Sequence, residues 1–265
     1  VAPSTAALMR RLCGNGALAE CAPERIYAEI STGLRTLRPR RFIEAMRSSG
    51  ALAIIAPEIE ALFGVPQPAV HHPEVDTGEH VLLCLESAHR LGANEAVRFG
   101  VLVHDVGKGL TPKAEWPRHV GHEQSGLPLV NNIAQRWRVP TEHLELARVI
   151  TGQHLRCHRS LEARPGTVYK ILSNARAFSN GSLLPDFLKG CKADAQGRLG
   201  SEHAPYLQSK WLNAAANAAA KIEARQFVAK GYVGEQIGNA IRDARLMAIA
   251  NARREFRAAL PEQEQ

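Results

Sequence analysis

Val101-Leu102-Val103-His104-Asp105-Val106-Gly107-Lys108 runs an apolar helical segment straight into an adjacent histidine and aspartate. Neighbouring positions on a helix differ by ~100° in direction, so two side chains of different reach can converge on one point just past the last turn. A neutral imidazole beside a carboxylate suits a divalent transition metal such as manganese, iron, cobalt, nickel or zinc. Gly107 is expected to end the helix and open space beside it, with Lys108 hanging over that space as a point charge for phosphate. Taken alone, a His-Asp pair is more often a buried histidine next to a capping aspartate, so the neighbours of the octet decide.

Outward from the octet the chain reads as helical nearly throughout. Short apolar clusters at three-to-four spacing alternate with Gly and Pro, and no run of strict alternation is long enough for a strand, so the expected fold class is all-α. Ser4 is a candidate N-cap for an opening helix. Pro23 precedes Ile26, Ile30 and Leu34, which share one helical face. A helix follows Pro39, and a third carries Ile59, Leu62 and Phe63 up to Gly64. Residues 64–78, with Val65-Pro66-Gln67-Pro68 and His71-His72-Pro73, cannot continue a helix and are read as a connector. Beyond it, helices are expected at 79–91, 94–105, 121–136 (with Pro128 a candidate kink), 141–154, 165–176 and 183–194. Gly92 and Gly107 serve as stops, and Pro140 and Pro165 as starts. An Ala-rich stretch at 206–229 and a last helix at 234–257 complete the set, with a polar, frayed end at 261–265. The expected organisation is 1–66 as neck and body helices, 67–200 as the metal-site domain, and 201–265 as a helical tail.

The 265 residues are 45% hydrophobic, ample for a core. No apolar run approaches the roughly 18–20 residues of a membrane span, and nothing near Val1 resembles a signal peptide. The five cysteines are scattered and form no Cys-x-x-Cys pair, which fits a reducing cytoplasm rather than a disulfide framework. A net charge of +7 favours polyanionic partners, nucleic acid above all. The first residue is Val1, not Met, as expected for a piece of something longer.

The octet has companions of the right chemistry. His80 precedes it at the start of a helix, after Asp76-Thr77-Gly78. His119 and His122 flank Gly121, His154 ends a later helix with His158 one turn on, and Asp194 follows in Lys192-Ala193-Asp194-Ala195. Imidazoles and carboxylates thus recur near helix ends, where ligands from separate helices meet in a bundle core. The order His80, His104-Asp105, Asp194, with Asp105-x-Gly107-Lys108 and Gly121-His122-Glu123, resembles the HD-domain metallophosphohydrolase superfamily.

The resemblance extends to one subgroup. Ala56-Pro57-Glu58-Ile59-Glu60-Ala61-Leu62-Phe63-Gly64-Val65-Pro66 and His72-Pro73-Glu74-Val75-Asp76-Thr77-Gly78-Glu79-His80 are similar to stretches of the bacterial multifunctional tRNA CCA-adding family. So are Lys108-Gly109-Leu110-Thr111-Pro112, Trp116-Pro117-Arg118-His119, the neck-like Pro23-Glu24-Arg25-Ile26-Tyr27-Ala28-Glu29-Ile30 and the tail-like Lys230-Gly231-Tyr232-Val233-Gly234. That family's polymerase head carries an Asp-x-Asp pair for magnesium, and no Asp-x-Asp occurs here. The resemblance therefore implies neck, body, HD and tail portions without the head, and CCA addition only for an intact protein.

For the HD portion the resemblance implies 2′,3′-cyclic phosphodiesterase, 2′-nucleotidase and phosphatase activity. A nickel, cobalt or manganese ion would be held by His80, His104, Asp105 and Asp194, with Asp105 and Lys108 acting at the reacting phosphate. His122 and His154 are expected either to hold a second metal or to contact phosphate. Gln153 precedes His154 where a second histidine is common, which leaves a full second site open. His119, His158, His71 and His72 are read as surface or loop histidines. His89, His143 and His203 have no evident partner. Arg35, Arg38, Arg40 and Arg41, with Arg242, Arg245, Arg253, Arg254 and Arg257 on the last helix, are either a solvated face or tRNA-backbone contacts. Expected partners are tRNA and 2′-phosphate or 2′,3′-cyclic phosphate substrates, with no membrane; a homodimer is left open. Two other readings compete: a tRNA-binding module with a vestigial HD site, and a hydrolase of nucleotide second messengers.

Overall fold

The structure is a computed structural model that describes residues 1–259; the frayed end expected at 261–265 lies outside them. Among the described residues every regular element is a helix, as the sequence spacing implies, and the one β-type pairing is an isolated bridge between Pro66 and Asp76. The first helices are α1 (Pro3–Gly14), α2 (Pro23–Arg35), α3 (Pro39–Ser49), α4 (Ala51–Ile55) and α5 (Pro57–Glu60). After the connector come α6 (Thr77–Arg90), α7 (Glu95–Val103), α8 (His122–Trp137), α9 (Thr141–His158), α10 (Pro165–Asn174) and α11 (Leu184–Ala195). They are followed by α12 (Leu207–Ala220), α13 (Arg225–Val228) and α14 (Glu235–Ala258). Among these residues no helix is long and apolar enough to cross a membrane.

Prolines open many of these helices because the first turn has no intrahelical use for the missing N–H. That rule displaces Ser4: Pro3 starts α1, Ala2 is its N-cap, and Ser4 lies inside the helix. The helix expected around Ile59–Phe63 contracts to Pro57–Glu60 followed by turns, although Ile59 and Leu62 are buried as their spacing implies. Pro128 does not interrupt α8, which runs through to Trp137. The Ala-rich stretch divides into α12 and α13 at a turn in which Gln226 donates to the Lys221 carbonyl at 3.2 Å, a local contact that overrides propensity.

The chain forms two compact units. The first comprises residues 1–154 and 189–204, the second 155–188 and 205–265. In the first, Ile30, Leu34, Leu52, Leu85, Phe99, Leu102 and Trp137 are fully buried. Each such side chain contributes about 1.5–3 kcal/mol. Trp137 donates its indole N–H to the Ile55 carbonyl at 3.0 Å. Buried Arg98 donates to the carbonyls of Ala93 (2.9 Å) and Leu34 (2.5 Å), so the C-terminus of α2 is capped by a side chain of α7. Tyr27 and His143, the latter without an evident partner in the sequence, bond to each other at 2.6 Å. In the second unit, Trp211 donates to the Ser160 carbonyl at 2.9 Å and packs on Phe256.

Candidate metal centre

Asp76 starts the assembly of the site. Its carboxylate caps α6 by accepting from the Glu79 amide at 2.9 Å and also accepts from the Gly64 amide at 2.5 Å, which sets His80 in the first turn. Asn94 caps α7 in the same manner, accepting from the Val97 amide. That helix stops at Val103, with His104 at its C-cap and Asp105 outside it at φ −107°, ψ 7°. Gly107 is therefore not the stop expected from the sequence. It lies in a 3-10 turn, Val106–Leu110, where a Cβ would collide with the His122 carbonyl and stand 2.7 Å from the Gly126 amide nitrogen. Glycine is needed there for close approach of the turn to α8, and that approach brings His122 to Asp105. His154 comes from α9 and Asp194 from α11.

His80, His104, Asp105, Lys108, His122, His154 and Asp194 are all buried, and they share one cluster within the first compact unit. His80 Nε2 lies 3.1 Å from Asp194 Oδ1. His104 Nε2 lies 3.3 Å from Asp105 Oδ2 and 3.9 Å from Asp194 Oδ1. On the other side of the same carboxylate, Asp105 Oδ1 is 3.2 Å from His122 Nε2 and 3.6 Å from His154 Nε2. A cavity of about 640 Å³ lined by Glu44, Arg47, Glu60, Asp76 and Glu79 adjoins the start of α6 and contains none of these seven residues.

The other ring nitrogen of each histidine is already committed. His104 Nδ1 faces the Val101 carbonyl at 2.8 Å, His122 Nδ1 the His119 carbonyl at 2.7 Å, and His154 Nδ1 the Thr151 carbonyl at 3.0 Å. A carbonyl only accepts, so each of these Nδ1 atoms carries a proton, and the Nε2 atoms of His122 and His154 face each other at 3.3 Å. His80 has a carboxylate on each nitrogen, Glu74 Oε1 2.8 Å from Nδ1 and Asp194 Oδ1 3.1 Å from Nε2, so either nitrogen can carry a proton. Imidazole Nε2 atoms and two carboxylates thus point at one another. Lys108 Nζ comes within 2.6 Å of Asp105 Oδ2, but neither it nor His122 meets Asp105 at hydrogen-bonding angles. Both Asp105 oxygens and His104 Nε2 are left buried without a hydrogen bond. A cation is what such a set lacks.

The electrostatics agree. Burial opposes charge on Asp105, yet His104 and Lys108 hold its carboxyl well below the ordinary range. Burial also opposes charge on His104, but Asp105 and Asp194 push it up to about 9. His154 is lowered to about 3 by burial and is neutral.

Cys84 stands close as well, its Sγ 3.4 Å from His80 Nε2 and 3.7 Å from Nδ1. Burial raises its thiol well above the usual range. Cys84 packs against His80, and its sulfur lies within 4.8 Å of ligand atoms of His80, His104 and Asp194.

The structure alters the reading of Lys108 and refines those of two loop histidines. Lys108 does not overhang open space: it is buried between Asp105 and Gln67, whose Oε1 accepts from Nζ at 2.6 Å. His72 is a loop histidine of the connector, half-buried, with its ring edge-on to His80 at 4.5 Å. His119 is likewise half-buried, bonded to Thr111 and to the Pro66 carbonyl. The residues missed by sequence reasoning, Gln67 and Glu74, lie in the connector, where no periodicity marks a buried acid or amide.

The arginines divide. Arg35, Arg38, Arg41 and Arg242 are exposed. Arg35 pairs with Glu95 at 3.3 Å, and Arg40 is tied to Glu44 (2.8 Å) and Glu79 (2.6 Å). Arg245 lies over the Phe178 ring at 4.2 Å and bonds to the Ile222 carbonyl, and Arg253 to the Ala163 carbonyl.

Residues 77–176 match the HD domain family, and residues 1–63 match the probable RNA and SrmB-binding site of polymerase A. The chain is 43% identical over 256 residues to a multifunctional CCA protein of Alkalilimnicola ehrlichii, covering 97% of this chain and 62% of that protein. It is 45% identical over 249 residues to the Pseudomonas aeruginosa protein of the same name, covering 94% and 61%. For that of Nitrosococcus oceani the identity is 46% over 252 residues, covering 95% and 62%. The chain thus spans about three-fifths of the length of these relatives. Along nearly all of its length, it is a homologue of the multifunctional CCA proteins, with an HD domain at residues 77–176.

Proposed function

We propose that residues 67–200 form a divalent-metal-dependent phosphohydrolase acting on 2′,3′-cyclic phosphodiesters, 2′-nucleotides and other phosphate monoesters. The observation that carries this reading is the convergence of buried Nε2 atoms on Asp105 and Asp194, with His104 Nε2 and both Asp105 oxygens lacking hydrogen bonds. His80, His104, Asp105 and Asp194 are the proposed ligands, a nitrogen and oxygen set suited to nickel, cobalt or manganese. When bound, such an ion supplies Lewis acidity toward the phosphoryl oxygens and an acidified water.

The chain's own groups do the remaining work. Lys108 holds Asp105 ionised and places a positive charge beside the site, where charge spreads over phosphate oxygens as the ester breaks. His154 is neutral, and its Nδ1–H is spent on backbone, so it cannot donate to a phosphate oxygen from Nε2. His122 Nδ1 is likewise spent on a backbone carbonyl, that of His119. Together with Asp105 Oδ1 they fit a second cation better than a direct phosphate contact.

The test is hydrolysis of a 2′,3′-cyclic nucleotide by the full chain with nickel, cobalt or manganese, with and without a chelator. Metal-stimulated release of product, absent in His104→Ala, is expected. No hydrolysis with any of the three metals would sink the reading and leave a vestigial HD site.

The match of residues 1–63 to an RNA-binding region favours a second role for the same chain. We assign 1–66 to neck and body helices that contact tRNA, with exposed Arg38 and Arg41 on its backbone, and 201–265 to a helical tail with Arg242 exposed. For a protein as long as the CCA relatives, we propose CCA addition in tRNA 3′-end maturation, with magnesium at its polymerase head.

A further inference from the structure

Backbone carbonyls hold the Nδ1–H of His104, His122 and His154. Almost any sequence in a helix would supply such acceptors. His80 is held differently. Its Nδ1 lies 2.8 Å from Glu74 Oε1, and the Glu74 side chain is fully buried. The same oxygen stands 3.0 Å from His72 Nδ1, whose ring meets that of His80 edge-on at 4.5 Å. The other oxygen, Oε2, accepts from the Leu199 amide at 3.3 Å, in the segment downstream of Asp194. One carboxylate therefore connects a proposed ligand, a neighbouring histidine and the backbone after a second proposed ligand.

The backbone beside Glu74 is unusual. Val75 adopts φ +59°, a left-handed conformation that a β-branched residue rarely tolerates. Its carbonyl accepts from the Gln67 amide at 2.7 Å and its amide donates to the His72 carbonyl at 2.9 Å. Strain of this kind persists where surrounding contacts demand it. Here it accompanies an acid turned inward from a proline-flanked connector that has no helix to orient it.

We propose that Glu74 is the positioning residue of the metal centre: it keeps a proton on His80 Nδ1 so that Nε2, which faces Asp194, is the nitrogen left for the ion, and it links His72 and the segment after Asp194 into the same support. The proposal rests on the reading that the centre binds a divalent ion. A carboxylate on Nδ1–H also raises the basicity of the opposite nitrogen, which strengthens it as a ligand. Gln in this place cannot serve every partner, since turning its oxygen to the histidines turns its NH₂ against the Leu199 N–H.

The test uses the full chain with zinc as a diamagnetic probe. Long-range ¹⁵N–¹H spectra should show His80 of the wild type carrying a proton on Nδ1, shifted downfield by the carboxylate. Glu74→Gln should lose that downfield signal and bind zinc about 10–100-fold more weakly in competition with a chromophoric chelator. A wild-type His80 with a bare Nδ1 overturns the proposal, and so does a Glu74→Gln protein with unchanged spectrum and zinc affinity within about twofold. Should Glu74→Gln fail to fold, the wild-type tautomer decides alone. Should the wild type take up no divalent ion, the hydrolase reading falls, and the His80 tautomer still judges the role of Glu74.

Discussion

Lys108 and Asp105 stand one helical turn apart, with Nζ 2.6 Å from Oδ2, and the ammonium is buried between that carboxylate and Gln67. The carboxylate therefore has two faces. Oδ2 is shared by Lys108 and His104, while Oδ1 is turned to His122 and His154. A residue expected to reach for phosphate is, before any substrate arrives, the counter-charge of a proposed ligand.

Removing that counter-charge strands a buried carboxylate. Lys108→Met is expected to destabilise the metal-free protein by about 3–5 kcal/mol, the usual cost of breaking a buried ion pair from one side. Divalent metal should restore much of the loss by supplying another cation. Urea titration with and without cobalt checks this, and equal losses under both conditions would contradict it.

His104→Ala removes one proposed ligand and leaves a gap between two carboxylates. Metal contributions to phosphoryl transfer amount to several kcal/mol, so hydrolysis should fall by at least about a hundredfold. A steady-state rate on a 2′,3′-cyclic nucleotide at saturating metal measures it.

Metal uptake should release protons. In the metal-free chain Asp105 and Asp194 outweigh burial and hold His104 protonated up to about 9, whereas a ligand imidazole must give up its Nε2 proton. Binding at pH 7.5 is therefore expected to release about one proton from this residue and little at pH 10, readable by calorimetry in buffers of different ionisation enthalpy. The sign for stability follows. His104 has a folded pKa above its ordinary 6.5, so its contribution is full below about 6.5 and is lost as pH rises through about 9.

Gly107→Ala places a methyl group against the His122 carbonyl and the Gly126 amide, both backbone atoms that cannot rotate away. The 3-10 turn must separate from α8, at about 1–3 kcal/mol. Chemical denaturation should register that loss. Metal affinity should fall with it, because Asp105 and His122 are held by the two surfaces that part.

The arginines should separate by experiment as they do in space. Replacing exposed Arg38 or Arg41 by Ala should weaken tRNA binding and reduce the slope of log affinity against log salt by about one per lost phosphate contact. Arg245→Ala should leave that slope unchanged and instead lower stability, since its guanidinium is spent on Phe178 and the Ile222 carbonyl. Filter binding across a salt series distinguishes the two.

Much of the architecture is legible from local rules. Three-to-four apolar spacing and proline starts are properties of neighbouring residues, so α2, α3 and α10 begin where Pro23, Pro39 and Pro165 place them. The same rules fail where distant atoms intervene. Gly107 is a glycine because of α8, not because a helix ends there, and Pro3 rather than Ser4 opens α1.

For the site, the sequence by itself determined the chemistry. It supplied His80, His104-Asp105 and Asp194 in an order and company that single out those residues, because ligand chemistry is a property of side-chain type. Only the tertiary structure decided which nitrogen of His104, His122 and His154 is turned to the cluster, since that depends on the backbone carbonyl facing the other one. It also turned Lys108 from a free cation into the partner of Asp105, and drew Gln67, His72 and Glu74 of the connector into the cluster. Those relations join residues far apart in the chain, and side-chain periodicity carries no information about contacts of that range.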